Sequence, residues 1–427
     1  MKFGGRVVSS VDVLEVPCVV ETLGGQRAMG LGSMTMGNAW SWPSSKVSSD
    51  ETLAAIEDLA QRYCEKALAT SITGHPLEIC HQLAHQLSSL ADAVVSDRKL
   101  PEAIPQLAWL LAASPLEAAL FDGHGKALGA SSYQLLGKEF VSSDLQPYLG
   151  DDFKGLYLDQ FVSPRPQPKM PLYHLVGALD PLTDADVESA VNDGYPETLA
   201  QWIEADGLSH LKIKLAGDDM EWDVQRVTRV SQVASESSRS DGTDWHFSLD
   251  FNERCSDQQY VIEMLDAVER NSAEAIRRIQ YVEQPTHRDL ARFPNNTMHE
   301  VTKRLPVVID ESLVDLQSLY LSRELGYSGI ALKACKGHAE ALLMGAAAQH
   351  YELFLCVQDL TCVGANFLHS ASLASHIPTV AAIEGNGRQY CPQGNSGWNE
   401  KFPGMFQISD GTVETALLDG PGLGYGS

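Results

Sequence analysis

From Ser49 the chain reads as an amphipathic helix: SDETLAAIEDLAQRYCEKALATSI opens on a serine and two acids and then spaces its apolar residues three and four apart. Two further helices are predicted near 76–95 and 103–121. Upstream, residues 6–20 alternate apolar and polar as a strand does, and the glycine-rich GLGSMTMGNAWSWPS from Gly30 to Ser44 reads as a loop. The proline-rich segment 142–170 separates this mostly helical region from a different pattern. After Met170, short apolar runs alternate with helical ones: YHLVGALD, SHLKIKL, WHFSLDF, IQYVEQP, LPVVIDE, SGIALKA, ELFLCVQ and TVAAIEG. Each run has the length of a buried strand, and helices between successive strands are what parallel pairing demands. Eight such units in a row predict a closed α/β barrel. An open doubly wound sheet is the alternative, but no GxGxxG follows the first strand.

The length of 427 residues exceeds what one hydrophobic core usually holds, so a smaller domain beside the barrel is expected. The charge narrows the partners. With 56 acidic against 31 basic side chains the formal charge is −25, which repels nucleic acid and anionic membranes, and neither is expected as a partner. Asp12 and Glu15 interrupt the apolar run that a signal peptide would need, and the eight cysteines show no CxxC or zinc spacing, so they read as small buried residues of a cytoplasmic protein. An acidic protein that takes an anionic substrate needs a local reversal of field, from a metal ion or clustered lysines.

Barrel chemistry sits at the carboxyl ends of the strands, and there the polar residues stand out. Strand two carries Lys212 and Lys214, two apart and therefore on one face. Strand three ends in Asp250, strand four in Glu283, strand five in Asp310 followed by Glu311, and strand six in Lys333. Singly, each would read as a surface charge or a helix cap. Together, at consecutive strand ends covered on both faces, they need partners. Asp250, Glu283 and Asp310, from three adjacent strands, offer the oxygen donors that suit Mg²⁺. Strands two and six are four apart in a ring of eight, so Lys214 and Lys333 face each other and can each move a proton on its own side of a substrate. Lys212 is expected to lower the pKa of Lys214 by like-charge repulsion, with the metal adding to the effect. His174, His210 and His246 lie too early in their strands for this site and are expected to be hydrogen-bonded inside the barrel. Cys356 and Cys362 read as buried residues, not as a redox pair.

In this order the residues closely resemble the mandelate racemase and muconate lactonizing branch of the enolase superfamily. KIK (Lys212 to Lys214), DFN (Asp250 to Asn252), VEQP around Glu283, IDES around Asp310 and GIALKACKG around Lys333 match its successive motifs, and Leu116 to Gly137 resembles its segment joining cap and barrel. The resemblance implies a (β/α)₇β TIM-like barrel over 166–389 under an α+β capping domain of 1–165, completed by about 390–427. It implies Mg²⁺, with Mn²⁺ as the substitute, a small carboxylate-containing substrate and a homo-oligomer. Asn252, Glu384 on strand eight, and Trp40 and Trp42 on the glycine-rich stretch become substrate-binding candidates. The lysine on strand six, and Gln358–Asp359 in place of a histidine on strand seven, make the chain similar to the lysine-pair subgroup of muconate cycloisomerases, o-succinylbenzoate synthases and dipeptide epimerases. One departure stands out: where the strand-six motif usually continues with two glycines, Gly337 is followed by His338.

The chemistry this implies is removal of the proton alpha to a carboxylate by Lys214 or Lys333. The resulting enediolate would be stabilised by the metal and Lys212, leading to racemisation or epimerisation, cycloisomerisation or elimination. Two other readings fit the residues: a barrel aldolase with Lys214 or Lys333 as Schiff-base nucleophile, and a catalytically silent relative that binds an acidic metabolite.

Overall fold

The computed structural model describes the chain except residues 1, 4, 5, 8, 9, 238–241, 243 and 427. The amino-terminal part forms an antiparallel hairpin of β1 (Val13–Glu21) and β2 (Arg27–Thr35), followed by four main helices, α1 (Ser49–Leu68), α2 (Pro76–Ala84), α3 (Leu87–Arg98) and α4 (Gln106–Leu128). Ser48 caps α1 by accepting from the Glu51 amide. The strand expected over 6–20 is observed from Val13 onward, and its positions 8 and 9 lie outside the described residues. The helix expected over 76–95 is two helices, broken where the Gln86 amide turns back to the Leu83 carbonyl.

The first six of the fifteen residues of the glycine-rich stretch read as a loop belong to strand β2, because its glycines serve packing and not turning. A Cβ on Gly30 would lie 1.9 Å from the Ala119 carbonyl oxygen, and one on Gly32 would lie 1.7 Å from that of Pro115. The hairpin therefore rests its backbone directly on α4. Buried Asp122 of α4 fastens three segments at once: one oxygen accepts from the Leu31 amide of β2 at 2.9 Å, the other from the Leu423 amide of the carboxyl-terminal tail at 3.0 Å.

All eight expected barrel strands form: β3 (Met170–Val176), β4 (His210–Lys214), β5 (His246–Asp250), β6 (Ile279–Glu283), β7 (Val307–Ile309), β8 (Gly329–Leu332), β9 (Phe354–Val357) and β10 (Val380–Glu384). Neighbours pair in parallel, and β10 pairs back onto β3, so the sheet closes and is not an open doubly wound one. Tyr173, Tyr281, Val308, Ala331, Cys356 and Ala382 fill the interior. His174 is turned outward against Trp202, and its Nε2 meets the Gln389 amide. His210 meets Ser209 and stacks near His246 at the opposite end from the chemistry. Among the described residues no helix is long and apolar enough to cross a membrane.

The departure at His338 has a structural use. Its ring fills the seam between α4 and the barrel, 4.5 Å from Phe121, and its Nδ1 meets His369 Nε2 at 2.9 Å, while His376 stacks on Tyr133 at 3.7 Å. Burial drives all three imidazoles toward the neutral form: His369 and His376 fall to about 4, and His338 lies well below its usual value, with His369 and His376 adding to burial. In the unfolded chain each regains a pKa near 6.5, so the unfolded state binds more protons below that pH. The seam's stability is thus complete above about pH 6.5 and declines as pH falls toward 4. His369→Phe should flatten that decline by up to about 1.4 kcal/mol per pH unit in urea unfolding between pH 7 and 4.5; an unchanged slope would contradict the assignment.

Candidate active site

Strand register brings the charged residues together. Lys214, Asp250 and Glu283 lie side by side across β4, β5 and β6, and Asp310 follows two residues beyond Val308, the partner of Glu283. Lys212, Asp250, Glu283 and Asp310 are each no more than 2% exposed, and Lys333 is 4% exposed, so each charge survives only through its partners.

Lys212 is the hub. Its Nζ lies 2.9 Å from Glu283 Oε1, 3.0 Å from Glu384 Oε2, 3.0 Å from Gln358 Oε1 and 3.1 Å from Asp250 Oδ2. Burial alone would pull its pKa down, but Glu283, Glu384 and Asp250 outweigh that and hold it well above the ordinary lysine value. Asp250 Oδ2 takes Lys214 Nζ at 2.5 Å as well as Lys212, and the Asn252 amide donates to its Oδ1 at 2.9 Å. Against burial, Lys214 and Lys212 keep Asp250 well below the usual carboxylate range.

On the far side of the ring Lys333 Nζ lies 2.7 Å from Asp310 Oδ2, and Lys336 lies 3.1 Å from Oδ1 and donates to the Asp310 carbonyl at 2.5 Å. Burial would raise Asp310, but Lys333 and Lys336 bring it to about 2. Glu283 goes the other way. Burial and the charge of Asp250 push it up to about 8 despite Lys212, and the Gln358 amide donates to its second oxygen. Gln284, with φ of 31°, accepts the Asp310 and Ser312 amides on its Oε1 and so fixes the turn after β7.

A cavity of about 350 Å³ opens above these residues, between barrel rim and cap. Lys212, Lys214, Asn252, Asp310, Lys333, Glu384 and Trp40 all reach its wall. Asp250 and Glu283 do not, and the amines of Lys212 and Lys214 stand on them. Trp40 lies with its ring 4.4 Å from Lys333 Nζ, and its carbonyl accepts from Arg288 at 2.9 Å, whose guanidinium pairs with Glu253. Trp42 is turned away into the cap, where its Nε1 donates to Glu102.

The sequence reading missed three participants. Lys336 was signalled by its spacing of three from Lys333 on the short 3₁₀ turn Ala334–Lys336. Gln358 and Asn386 carry no charge, and a neutral amide at a strand end gives no signal of its own. The network predicts a stability effect. Lys212→Met strips four acceptors of their common cation and should cost about 3–5 kcal/mol in urea unfolding, whereas Gln358→Leu should cost only about 1–3 kcal/mol. A Lys212→Met chain as stable as its parent would contradict the hub.

Comparison with known proteins agrees with this architecture. No curated protein matches the chain in sequence. The family model described as enolase C-terminal domain-like matches residues 195–426. Among solved structures the chain is similar to the L-Ala-D/L-Glu epimerase from Bacillus subtilis, at 17% identity over 99% of this chain and 98% of that one with a TM-score of 0.61. It is similar to the muconate lactonizing enzyme from Pseudomonas putida, at 18% identity over 98% and 96% with a TM-score of 0.59. A racemase from Streptomyces coelicolor A3(2) with bound magnesium follows, at 16% identity over 98% and 96% with a TM-score of 0.57. At these identities the solved structures speak for the fold, and the family model spans more than half of the chain. The chain therefore belongs to the enolase C-terminal domain-like family, in the mandelate racemase and muconate lactonizing branch of the enolase superfamily.

Proposed function

We propose that the protein is a divalent-metal-dependent isomerase or lyase that removes the proton alpha to the carboxylate of a small acid. The observation that carries this reading is the placement of Lys214 and Lys333 in one cavity wall, on strands four apart in the ring of eight. That placement puts an amine on each side of a bound carbon acid. The relatives named as an epimerase, a racemase and a lactonizing enzyme support the class.

Asp250, Glu283 and Asp310 are the residues that would hold the cation, Mg²⁺ or in its place Mn²⁺. Among the described residues no three acid, histidine or cysteine side chains converge as a ready-made cage, because the lysine amines stand against these carboxylates. The donor chemistry nonetheless fits. The oxygens are hard, and Glu283 is pushed up by burial and the negative charge of Asp250 and Asp310. When bound, the cation supplies Lewis-acid polarisation of the substrate carboxylate, which acidifies the adjacent C–H.

The chain's own residues do the rest. Lys214 and Lys333, which stand against Asp250 and Asp310, are the amines that would exchange a proton with the substrate. Lys214 acts on one face of the α-carbon and Lys333 on the other. Lys212, kept charged by its acidic partners, meets the negative charge that develops on the substrate oxygens. Proton return by the second lysine gives racemisation or epimerisation; departure or attack of another substrate group gives elimination or cycloisomerisation. Asn252, Glu384 and Trp40 border the substrate.

Lys214→Ala and Lys333→Ala should each lower turnover by roughly 10²–10⁴-fold while calorimetric Mg²⁺ binding persists, and Asp250→Asn should lose that binding. Full activity in either lysine variant would overturn the reading. Activity that survives EDTA and is trapped by borohydride would indicate the Schiff-base aldolase instead.

A further inference from the structure

Glu117 of α4 is a carboxylate, 6% exposed, that the proposed chemistry does not use. It stands on the cap helix, yet its oxygens serve the barrel. The Ala339 amide donates to Oε2 at 3.1 Å, and the His338 amide adds a second backbone contact. Those amides open the helix His338–His350, whose N-cap is Gly337 and which therefore has no side-chain cap of its own. Gly337 has φ of 97°, and a Cβ there would lie 2.7 Å from Glu117 Oε2, so the carboxylate fills the place that a capping side chain would take. The first amides of a helix have no acceptor within it and favour a negative charge. Among the described residues the partners of Glu117 are these amides and no cation, and burial pushes it up to about 8 against their pull. A buried acid held by main-chain donors of another domain is a costly way to fill a seam that an apolar side chain could fill.

What the cap holds in place is the turn that carries two lysines of the site. Lys333 follows β8 and the 3₁₀ turn Ala334–Lys336 comes next; the Lys336 amide donates to the Lys333 carbonyl at 3.0 Å, and the Gly337 amide to that of Ala334 at 3.2 Å. This single turn separates Lys333 from the amides that Glu117 caps. On its other side α4 carries the hairpin, where Gly32 meets the Pro115 carbonyl, two residues before Glu117. The hairpin leads to Trp40, whose ring lies 4.4 Å from Lys333 Nζ. One helix thus holds both halves of that contact. Lys214 is fastened differently: the loop after it donates from Ala216 and Gly217 to Asp223, at 2.6 and 2.9 Å, wholly within the barrel. We propose that Glu117 is the positioning residue for Lys333: by capping the helix after β8 from α4, it fixes the turn that carries Lys333 and Lys336 against Asp310 and beneath Trp40. This rests on the proposed function in taking Lys333 as a proton carrier.

Trace acetylation of the whole protein by acetic anhydride, quantified by mass spectrometry, tests this through the labelling rate of Lys333 divided by that of Lys214 in the same molecule. Glu117→Leu keeps the volume and removes the acceptor, and the ratio should rise about tenfold as the turn is released. Glu117→Gln keeps an oxygen that can accept from Ala339, and its ratio should stay within about twofold of the wild type. A general loosening of the barrel raises both rates and cancels. Should Glu117→Leu fail to fold, Glu117→Asp, one methylene short of the amides, carries the test and should raise the ratio at least about threefold. An unchanged ratio in Glu117→Leu, or in Glu117→Asp where that variant carries the test, would overturn the inference, as would a rise in Glu117→Gln as large as in Glu117→Leu. The labelling needs neither substrate nor metal. A protein that shows the expected ratios but exchanges no α-proton would leave the positioning of Lys333 by Glu117 standing and overturn the proposed function instead.

Discussion

Everything at the rim of this barrel follows from the cost of burying charge. Lys212, Lys214 and Lys333 and the carboxylates of Asp250, Glu283, Asp310 and Glu384 share a region with almost no solvent, and isolated ions there would be prohibitive. They coexist because parallel strands in register place each amine within about 3 Å of a carboxylate. Such an arrangement is poor as a source of stability, since apolar residues of the same volume would serve as well. What it provides is a set of preorganised charges whose partners can be exchanged. In the proposed reaction a cation and a substrate carboxylate take over contacts now made within the protein.

The cap converts this charged floor into an enclosed site. Gly30 and Gly32 let the hairpin rest on α4, Asp122 fastens hairpin, helix and carboxyl-terminal tail, and His338 packs the seam between α4 and the barrel. From that base the chain after β2 reaches over the barrel, where Arg288 holds the Trp40 carbonyl and the indole covers Lys333. The same side chain thus borders the cavity and touches one of its amines, linking closure of the site to the placement of Lys333.

Much of this was legible in the sequence, and the reasons are physical. Lysines and acids are so costly inside barrel strands that their appearance at five consecutive strand ends was informative without any coordinates, and the register of β4, β5 and β6 then aligns them. The ring order placed Lys214 and Lys333 on opposed strands. Features set by tertiary approach were not legible. Gly30 and Gly32 looked like loop residues because local glycine density signals turning, whereas the demand comes from Ala119 and Pro115, 89 and 83 residues further along. That one Asp250 oxygen lies against both the Lys212 and the Lys214 amine was equally invisible in the sequence. Trp40 and Trp42 were indistinguishable as letters, yet one turns to Lys333 and the other to Glu102. Gln358 was read only as the absence of a histidine on strand seven, and Asn386 gave no signal, because a neutral amide does not announce its partners.

The central claim is that this arrangement of amines and acids makes a carbon acid labile next to a carboxylate, with a divalent cation engaged. Proton NMR of candidate acids in D₂O tests it most directly, with the wild-type protein first in Mg²⁺ and then in excess EDTA. The account predicts that the α-proton signal of the true substrate disappears in Mg²⁺, persists in EDTA and disappears again when Mg²⁺ is restored. Exchange that proceeds undiminished in EDTA, or an acid that binds in the cavity with Mg²⁺ present and keeps its α-proton, would contradict it.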